Sequence, residues 1–162
     1  MSLEDTAQPE MIQIDQRLRL RAFDGSYDFA LPWFADADTV YHICRVRTSC
    51  TAEDVKELFV YYQGACEQYI IELLENEDYR PIGWAAFNEW DMPMVIAPAY
   101  RNQKIGRRVI QCLIERGRIL GYDELMLRSI YDDNPAALRC YMAAGFRIYA
   151  ITADSSLLSA LL

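Results

Sequence analysis

At 162 residues the chain is long enough to bury one sizeable core and too short to suggest two independent domains. With 52% hydrophobic and 25% charged residues, its composition is that of a globular protein rather than a disordered one. Sixteen Lys and Arg stand against twenty-four Asp and Glu, and the net charge of -8 argues against a nucleic-acid partner and suits a cationic one.

The five cysteines (Cys44, Cys50, Cys66, Cys112, Cys140) are odd in number, scattered and never spaced C-x-x-C. They suggest neither a disulfide framework nor a zinc site, and read as small core residues of a reducing compartment, the cytoplasm. Residues 1–16 carry Glu4, Asp5, Glu10 and Asp15 without a sustained apolar block, so no signal peptide is expected, and 1–15 reads as a loosely attached segment. No apolar run approaches the roughly 20 residues that span a bilayer, so no membrane partner is expected.

In chain order, Arg17 to Phe23 alternates charge and bulk as R-L-R-L-R-A-F, which predicts an opening edge strand broken by Asp24-Gly25. From about Tyr27 to Tyr62 the spacing is helical. Thr51 and Asp54 stand in a capping-box arrangement ahead of Val55, Leu58, Phe59 and Tyr62, and a helical pair or lid is expected. Gln68 to Leu74 and Pro81 to Phe87, separated by Glu75 to Asp78, predict an antiparallel hairpin. Met92 to Ala97 is a further extended segment, with Pro93 at its start or at a bulge.

Arg101 to Leu120 gives the clearest helical pattern: Ile105, Val109, Ile110, Leu113, Ile114 and Leu120 form one stripe, with Gly121 placed to end it. Strand Glu124 to Ile130 follows, then a helix from Asn134 or Pro135 to Ala144, Gly145, and strand Phe146 to Ile151. This order predicts an α/β fold with at least one parallel pair. The tail Ser155 to Leu162 is apolar and short, suited to packing on the domain or on a partner subunit, as in a homodimer.

Between the strand ending near Ala97 and the long helix lies Pro98-Ala-Tyr-Arg-Asn-Gln-Lys-Ile-Gly-Arg-Arg108. The first-turn amides of such a helix lack intrahelical partners and make an anion cradle. Six of the sixteen basic residues (Arg101, Lys104, Arg107, Arg108, Arg116, Arg118) fall on this turn and helix. The first four surround the cradle and would attract a diphosphate, whereas Arg116 and Arg118 read as the helix's solvated face.

Ile96-Ala-Pro98, Tyr100-Arg101 and Ile105-Gly106 resemble the coenzyme-binding signature of the GNAT acetyltransferases, in which a strand and a V-x-P-like element precede (Q/R)-x-x-G-x-(G/A) opening a helix. Asn134-Pro-Ala-Ala-Leu-Arg-Cys-Tyr-Met-Ala-Ala-Gly-Phe146 resembles the family's N-x-x-A-x-x-x-Y-x-x-x-G-F element. Lys104 departs from the signature by standing at its first glycine. The strong resemblance covers roughly Gly83 to Tyr149; the N-terminal third is more loosely similar to the branch of ribosomal-protein N-terminal, polyamine and aminoglycoside acetyltransferases.

That resemblance implies a single domain over residues 1–162: a mixed, mostly antiparallel sheet with a central parallel pair, flanked by about four helices. It implies acetyl-CoA as cosubstrate, without metal, and direct acetyl transfer to a primary amine of a small molecule or peptide. By resemblance the coenzyme is held by Val95, Ile96, Ala97, Arg101, Asn102, Gln103, Lys104, Ile105, Gly106, Arg107 and Asn134. Tyr141 is placed to protonate the departing thiolate, and Glu89 or Asp91, with Glu89 slightly favoured, to take the amine proton. Asn134 ahead of Pro135 is equally an N-cap, and the lone His42 suits a structural or substrate-edge role. Two alternatives stay open: a noncatalytic acyl-CoA-binding or regulatory module, and another nucleotide-binding α/β protein. The turn lacks both G-x-G-x-x-G and G-x-x-x-x-G-K-(S/T), which leaves the latter only a generic anion site.

Overall fold

The computed structural model describes residues 6–45 and 50–162. Its strands are β1 (Met11–Gln13), β2 (Leu18–Ala22), β3 (Glu67–Glu75), β4 (Asp78–Phe87), β5 (Met94–Ile96), β6 (Glu124–Tyr131), β7 (Arg147–Ile151) and β8 (Ser155–Leu161). Its α-helices are α1 (Ala37–Cys44), α2 (Ala52–Tyr62), α3 (Ile105–Leu120) and α4 (Pro135–Ala143), with 3-10 turns at Asp28–Ala35 and Pro98–Tyr100. No helix among the described residues is long and apolar enough to cross a membrane.

The strands form two sheets, ordered β1-β2-β3-β4-β5 and β6-β8-β7. Every described pairing is antiparallel, so the expected central parallel pair is not formed. The tail is the reason on one side. Instead of packing as an appendage, it becomes β8 and inserts between β6 and β7, pairing antiparallel with each. On the other side, β5 and β6, which α3 connects, share no described ladder; the amide of Met126 donates to the carbonyl of Glu89 at 2.8 Å, just ahead of β5.

The expected opening strand is β2, but it is not the sheet edge. Residues 11–13 add β1 outside it, Gln8 donates to the Gln68 carbonyl, and Arg116 donates to the carbonyls of Thr6 and Ala7. The segment expected to hang loosely is therefore bonded to the body over much of its described part. The β3–β4 hairpin turns on Asn76 and Glu77, both at positive φ, the geometry of a two-residue loop whose twist matches its strands. The capping box of α2 forms as its sequence predicts, with Thr51 and Asp54 satisfying each other's amides.

The alternation of β3 and β4 builds a core on each face of the first sheet. Tyr69, Ile71, Ala85 and Phe87 pack with Ile105, Val109, Leu113 and Tyr141 from α3 and α4. Ile70, Trp84, Ala86 and Val95 pack with Phe34, Val55 and Phe59. Fully burying each large apolar side chain contributes about 1.5–3 kcal/mol before ordering costs. Gln68, the polar exception, accepts from Trp84 Nε1 at 3.1 Å and donates to the Phe59 carbonyl at 3.1 Å.

Arg116 corrects the reading of α3. It is 5% exposed rather than part of the solvated face, and it donates to Glu67 through Nε and an Nη at 3.1 and 2.7 Å. Arg118 is exposed as expected and pairs with Glu115.

Candidate active site

The helix expected from Arg101 begins at Ile105. Asn102 and Lys104 sit at φ 61° and 60°, so Arg101 to Lys104 forms a turn, with Lys104 as N-cap. Arg108 makes the first intrahelical bond, to the Lys104 carbonyl, leaving the amides of Ile105, Gly106 and Arg107 ahead of the ladder. No side chain caps them and no acidic residue lies in the first turn, so the end keeps the helix's positive pole.

Lys104 thus occupies the glycine position of the signature in a glycine-like conformation, at a cost of roughly 1–2 kcal/mol. Gly106 has a different requirement: a Cβ there would fall 3.1 Å from Cys140 Sγ and 3.1 Å from Met94 Cε, so its smallness lets α3 seat against α4 and β5.

The four basic residues expected around the cradle divide into two pairs. Arg101 is drawn away: its Nε donates to the Ile96 carbonyl at 3.1 Å, an Nη donates to Thr39 Oγ1 at 2.6 Å, and Asp36 lies 3.5 Å off. Arg108 pairs with Asp15 beside a cavity of about 1010 Å³ between the β1 segment and α3. Lys104 and Arg107 are exposed on the first turn, and the Gln103 side chain donates to the Ala99 carbonyl at 3.4 Å.

Strand β5 meets β4 along one side. The bonds from Ala86 to the Pro93 carbonyl and from Ala97 to the Ile82 carbonyl set the phase, with Val95 opposite Trp84 between them. Met94 and Ile96 therefore turn their backbone groups away from β4, toward the gap that separates β5 from β6. Pro93, just before the strand, accepts from the Ala86 amide and, having no N–H, cannot return the second bond of that pair, so the ladder ends there.

At the far end of that gap Asn88 Oδ1 accepts from the amides of Trp90 and Asp91, shaping the turn that carries both candidate carboxylates. The two are separated. Burial holds the Asp91 carboxyl above the usual carboxylate range, opposed by the Met92 amide and by Arg128, whose Nε lies 3.8 Å away. Its charge is felt by Tyr62 and by Cys66, whose thiol burial and Asp91 push up to about 11. Glu89 is felt instead at Tyr122, against Phe87 on the α3 face, and its carbonyl holds Met126.

Tyr141 is 5% exposed, and its hydroxyl donates to the Met92 carbonyl at 2.5 Å. Burial pushes its phenol far above the ordinary value, so it stays protonated through the neutral range. Asn134 caps α4, accepting from the Ala137 amide at 3.3 Å. His42 lies against Tyr41 with a buried Nδ1 that has no partner among the described residues.

The structure thus brings Tyr141, Asp91 and Met92 to one end of the β5–β6 gap and the free amides of Ile105 to Arg107 to the other side of β5. Sequence reasoning missed Arg128, Tyr62 and Thr39: each touches the site from an element separate in sequence from the recognised motifs, and no local pattern marks it. Among the described residues, no group of three or more His, Cys, Asp or Glu could hold a metal ion.

The chain is similar in structure to an acetyltransferase of the GNAT family from Bacillus anthracis, at 17% identity and a TM-score of 0.76, covering 93% of this chain and 98% of that one. It is similar to spermidine N-acetyltransferase from Vibrio cholerae, solved with CoA and spermine, at 18% identity and a TM-score of 0.72, covering 91% and 96%. It is also similar to aminoglycoside acetyltransferase AAC(6')-Ib, solved with coenzyme A and kanamycin, at 19% identity and a TM-score of 0.69, covering 89% and 94%. No curated protein matches its sequence significantly. Residues 31–146 match the acetyltransferase (GNAT) family, more than half of the sequence, and the chain belongs to that family.

Proposed function

We propose that the protein is a cytoplasmic N-acetyltransferase, a single domain over residues 1–162, that moves the acetyl group of acetyl-CoA directly to a primary amine of a small molecule or peptide. The observation that carries this reading is the uncapped, basic start of α3 beside the unpaired edge of β5. Anionic phosphates are met there by the amides of Ile105, Gly106 and Arg107 and by the charges of Lys104 and Arg107. Asn102 and Gln103 shape the turn, Arg101 braces it, and Asn134 fixes the start of α4. The pantetheine amides are met by the outward backbone groups of Met94 and by the amide of Ile96, whose carbonyl Arg101 holds, with Val95 and Ala97 holding the strand to β4.

Asp91 rather than Glu89 is the proposed base, because its carboxyl is desolvated and its charge is felt both by Tyr62 of α2 and by the proposed acid Tyr141. It takes the proton of the incoming ammonium, directly or through water; the amine attacks the thioester carbonyl and the carbon–sulfur bond breaks. Tyr141 supplies the proton to the departing sulfur, and the second proton of the attacking nitrogen, released as the amide forms, returns to the Tyr141 oxygen directly or through water. Rotation of its hydroxyl hydrogen about the Cζ–O bond redirects the proton from the Met92 carbonyl without moving the ring. Spermine and kanamycin in the similar structures are amines, which supports an amine acceptor here.

Thermal-shift titration with acetyl-CoA, CoA and NAD tests the coenzyme, since a ligand that binds only the folded state raises apparent stability. A shift with both CoA species and none with NAD is expected; no shift with either CoA species overturns the reading. Release of free thiol on addition of an amine panel then separates an enzyme from a noncatalytic acyl-CoA-binding module.

A further inference from the structure

A second cluster of charge and aromatic surface lies across the β5–β6 gap from the cradle. Arg45, at the end of α1, stacks its guanidinium 4.3 Å from the centre of the Tyr41 ring and 3.7 Å from that of Tyr131. Its two Nη atoms donate to the two carboxylate oxygens of Asp133 at 2.9 and 3.3 Å, and the Tyr41 hydroxyl donates to Asp133 at 2.6 Å. The Asp133 carboxyl is held down at about 2, chiefly by the Arg45 bonds and then by Tyr41.

Two ring faces and a carboxylate are what an organic cation requires: the rings attract it through their quadrupoles and the carboxylate takes its N–H bonds. The position of the box matters as much as its chemistry. Tyr131 ends β6, and Asp133 directly precedes the cap of α4. The other end of α1 is tied through Thr39 and Arg101 to the Ile96 carbonyl at the end of β5. Helix α1 therefore reaches from the end of one gap strand to the end of the other, and the box stands at the rim of the gap. Arg45 holds its place from a strained backbone, at φ 57°, in a conformation that non-glycine residues seldom adopt.

We infer that Tyr41, Tyr131 and Asp133 form a recognition site for a cationic group of the acceptor, an ammonium or guanidinium distant from the reacting nitrogen, and that Arg45 is its resident occupant, displaced when such an acceptor binds. This rests on the amine-acceptor reading and gives it a second point of attachment: diamines and polyamines fit, whereas simple monoamines cannot span both sites.

The test is calorimetric titration of the wild-type protein and of Arg45→Asn with n-butylguanidinium, with n-butanol as the uncharged control. Asparagine tolerates the left-handed backbone at this position, and thermal unfolding checks that the variant folds. Emptying the box is expected to tighten guanidinium binding on the order of tenfold, and Asp133→Asn in the same background is expected to abolish the gain. Arg45→Lys, which keeps a cation but loses the fork, is expected to give a smaller gain and carries the test if Arg45→Asn does not fold. No gain in the folded variants, or a gain that survives Asp133→Asn, overturns the inference. Parallel titration with acetyl-CoA separates the two readings: loss of coenzyme binding in every form, wild type included, sinks the acyltransferase, while the guanidinium result still decides the box.

Discussion

The phenol of Tyr141 donates to the carbonyl of Met92 at 2.5 Å, tying α4 to the residue that leads into β5. One bond joins the proposed acid to the closed end of the gap, so Tyr141→Phe has two separable effects. Leaving a buried carbonyl unpaired is expected to cost about 1–2 kcal/mol in denaturant unfolding. Removing the proton donor is expected to slow thiol release on the order of a hundredfold, with the affinity for acetyl-CoA nearly unchanged. A variant that loses stability and keeps wild-type kcat shows Tyr141 to be an anchor and nothing more.

Asp91 offers a prediction whose sign follows from its environment. Burial raises its carboxyl above the ordinary value of 3.8, so the folded protein holds this proton more tightly than the unfolded chain. Its stabilising contribution is complete below the ordinary value and is lost as pH rises through the higher folded one. At neutral pH the ionised group is therefore a liability. Asp91→Asn, which can still accept from the Met92 amide, is expected to raise Tm at neutral pH, with the gain vanishing in acid. The same variant is expected to lose about a hundredfold or more in kcat/KM, and the acid limb of the wild-type pH profile should lie above 3.8. A variant that is no more stable, or as active, removes Asp91 as a desolvated base.

Much of the fold was legible because its signals were local. The R-L-R-L-R alternation, the Thr51 box, the α3 stripe and the Asn134-Pro135 start all lie within one element, where period and caps decide. What sequence could not supply was pairing between distant segments. Ser155 to Leu161 carries weak alternation and no flanking signature; only its insertion between β6 and β7 makes it a central strand and splits the expected parallel neighbours. The site divides in the same way. The cradle sits in one contiguous motif, while Arg128 reaches Asp91 and Arg101 is drawn to Asp36 and Thr39 through tertiary contacts that no spacing encodes.

Lys104 holds a glycine's backbone conformation at the head of α3. Lys104→Gly is expected to relieve strain and to stabilise the protein by up to about 1 kcal/mol once glycine's greater unfolded freedom is subtracted. Lys104→Val, branched at Cβ, is expected to destabilise it in the same denaturant measurement. The free amides survive in Lys104→Gly while one charge is lost. Its coenzyme affinity should change only a few-fold, and the dependence of that affinity on salt should flatten. A large loss of affinity instead assigns the grip to the lysine side chain rather than to the amides.

Arg116 was readable in retrospect, because Val109, Leu113, Arg116 and Leu120 follow the spacing of a buried face and its charge alone suggested solvent. Buried there, it donates to Glu67 and to the carbonyls of Thr6 and Ala7, holding the segment before β1 against the body. Arg116→Ala strands the Glu67 carboxylate with the Tyr69 hydroxyl still donating to it, and is expected to cost about 3 kcal/mol. Adding Glu67→Gln removes the stranded charge, so the double variant should recover part of that loss in the same unfolding measurement. If the double variant is as unstable as the single one, the cost lies in the lost anchorage of Thr6 and Ala7 rather than in an uncompensated charge.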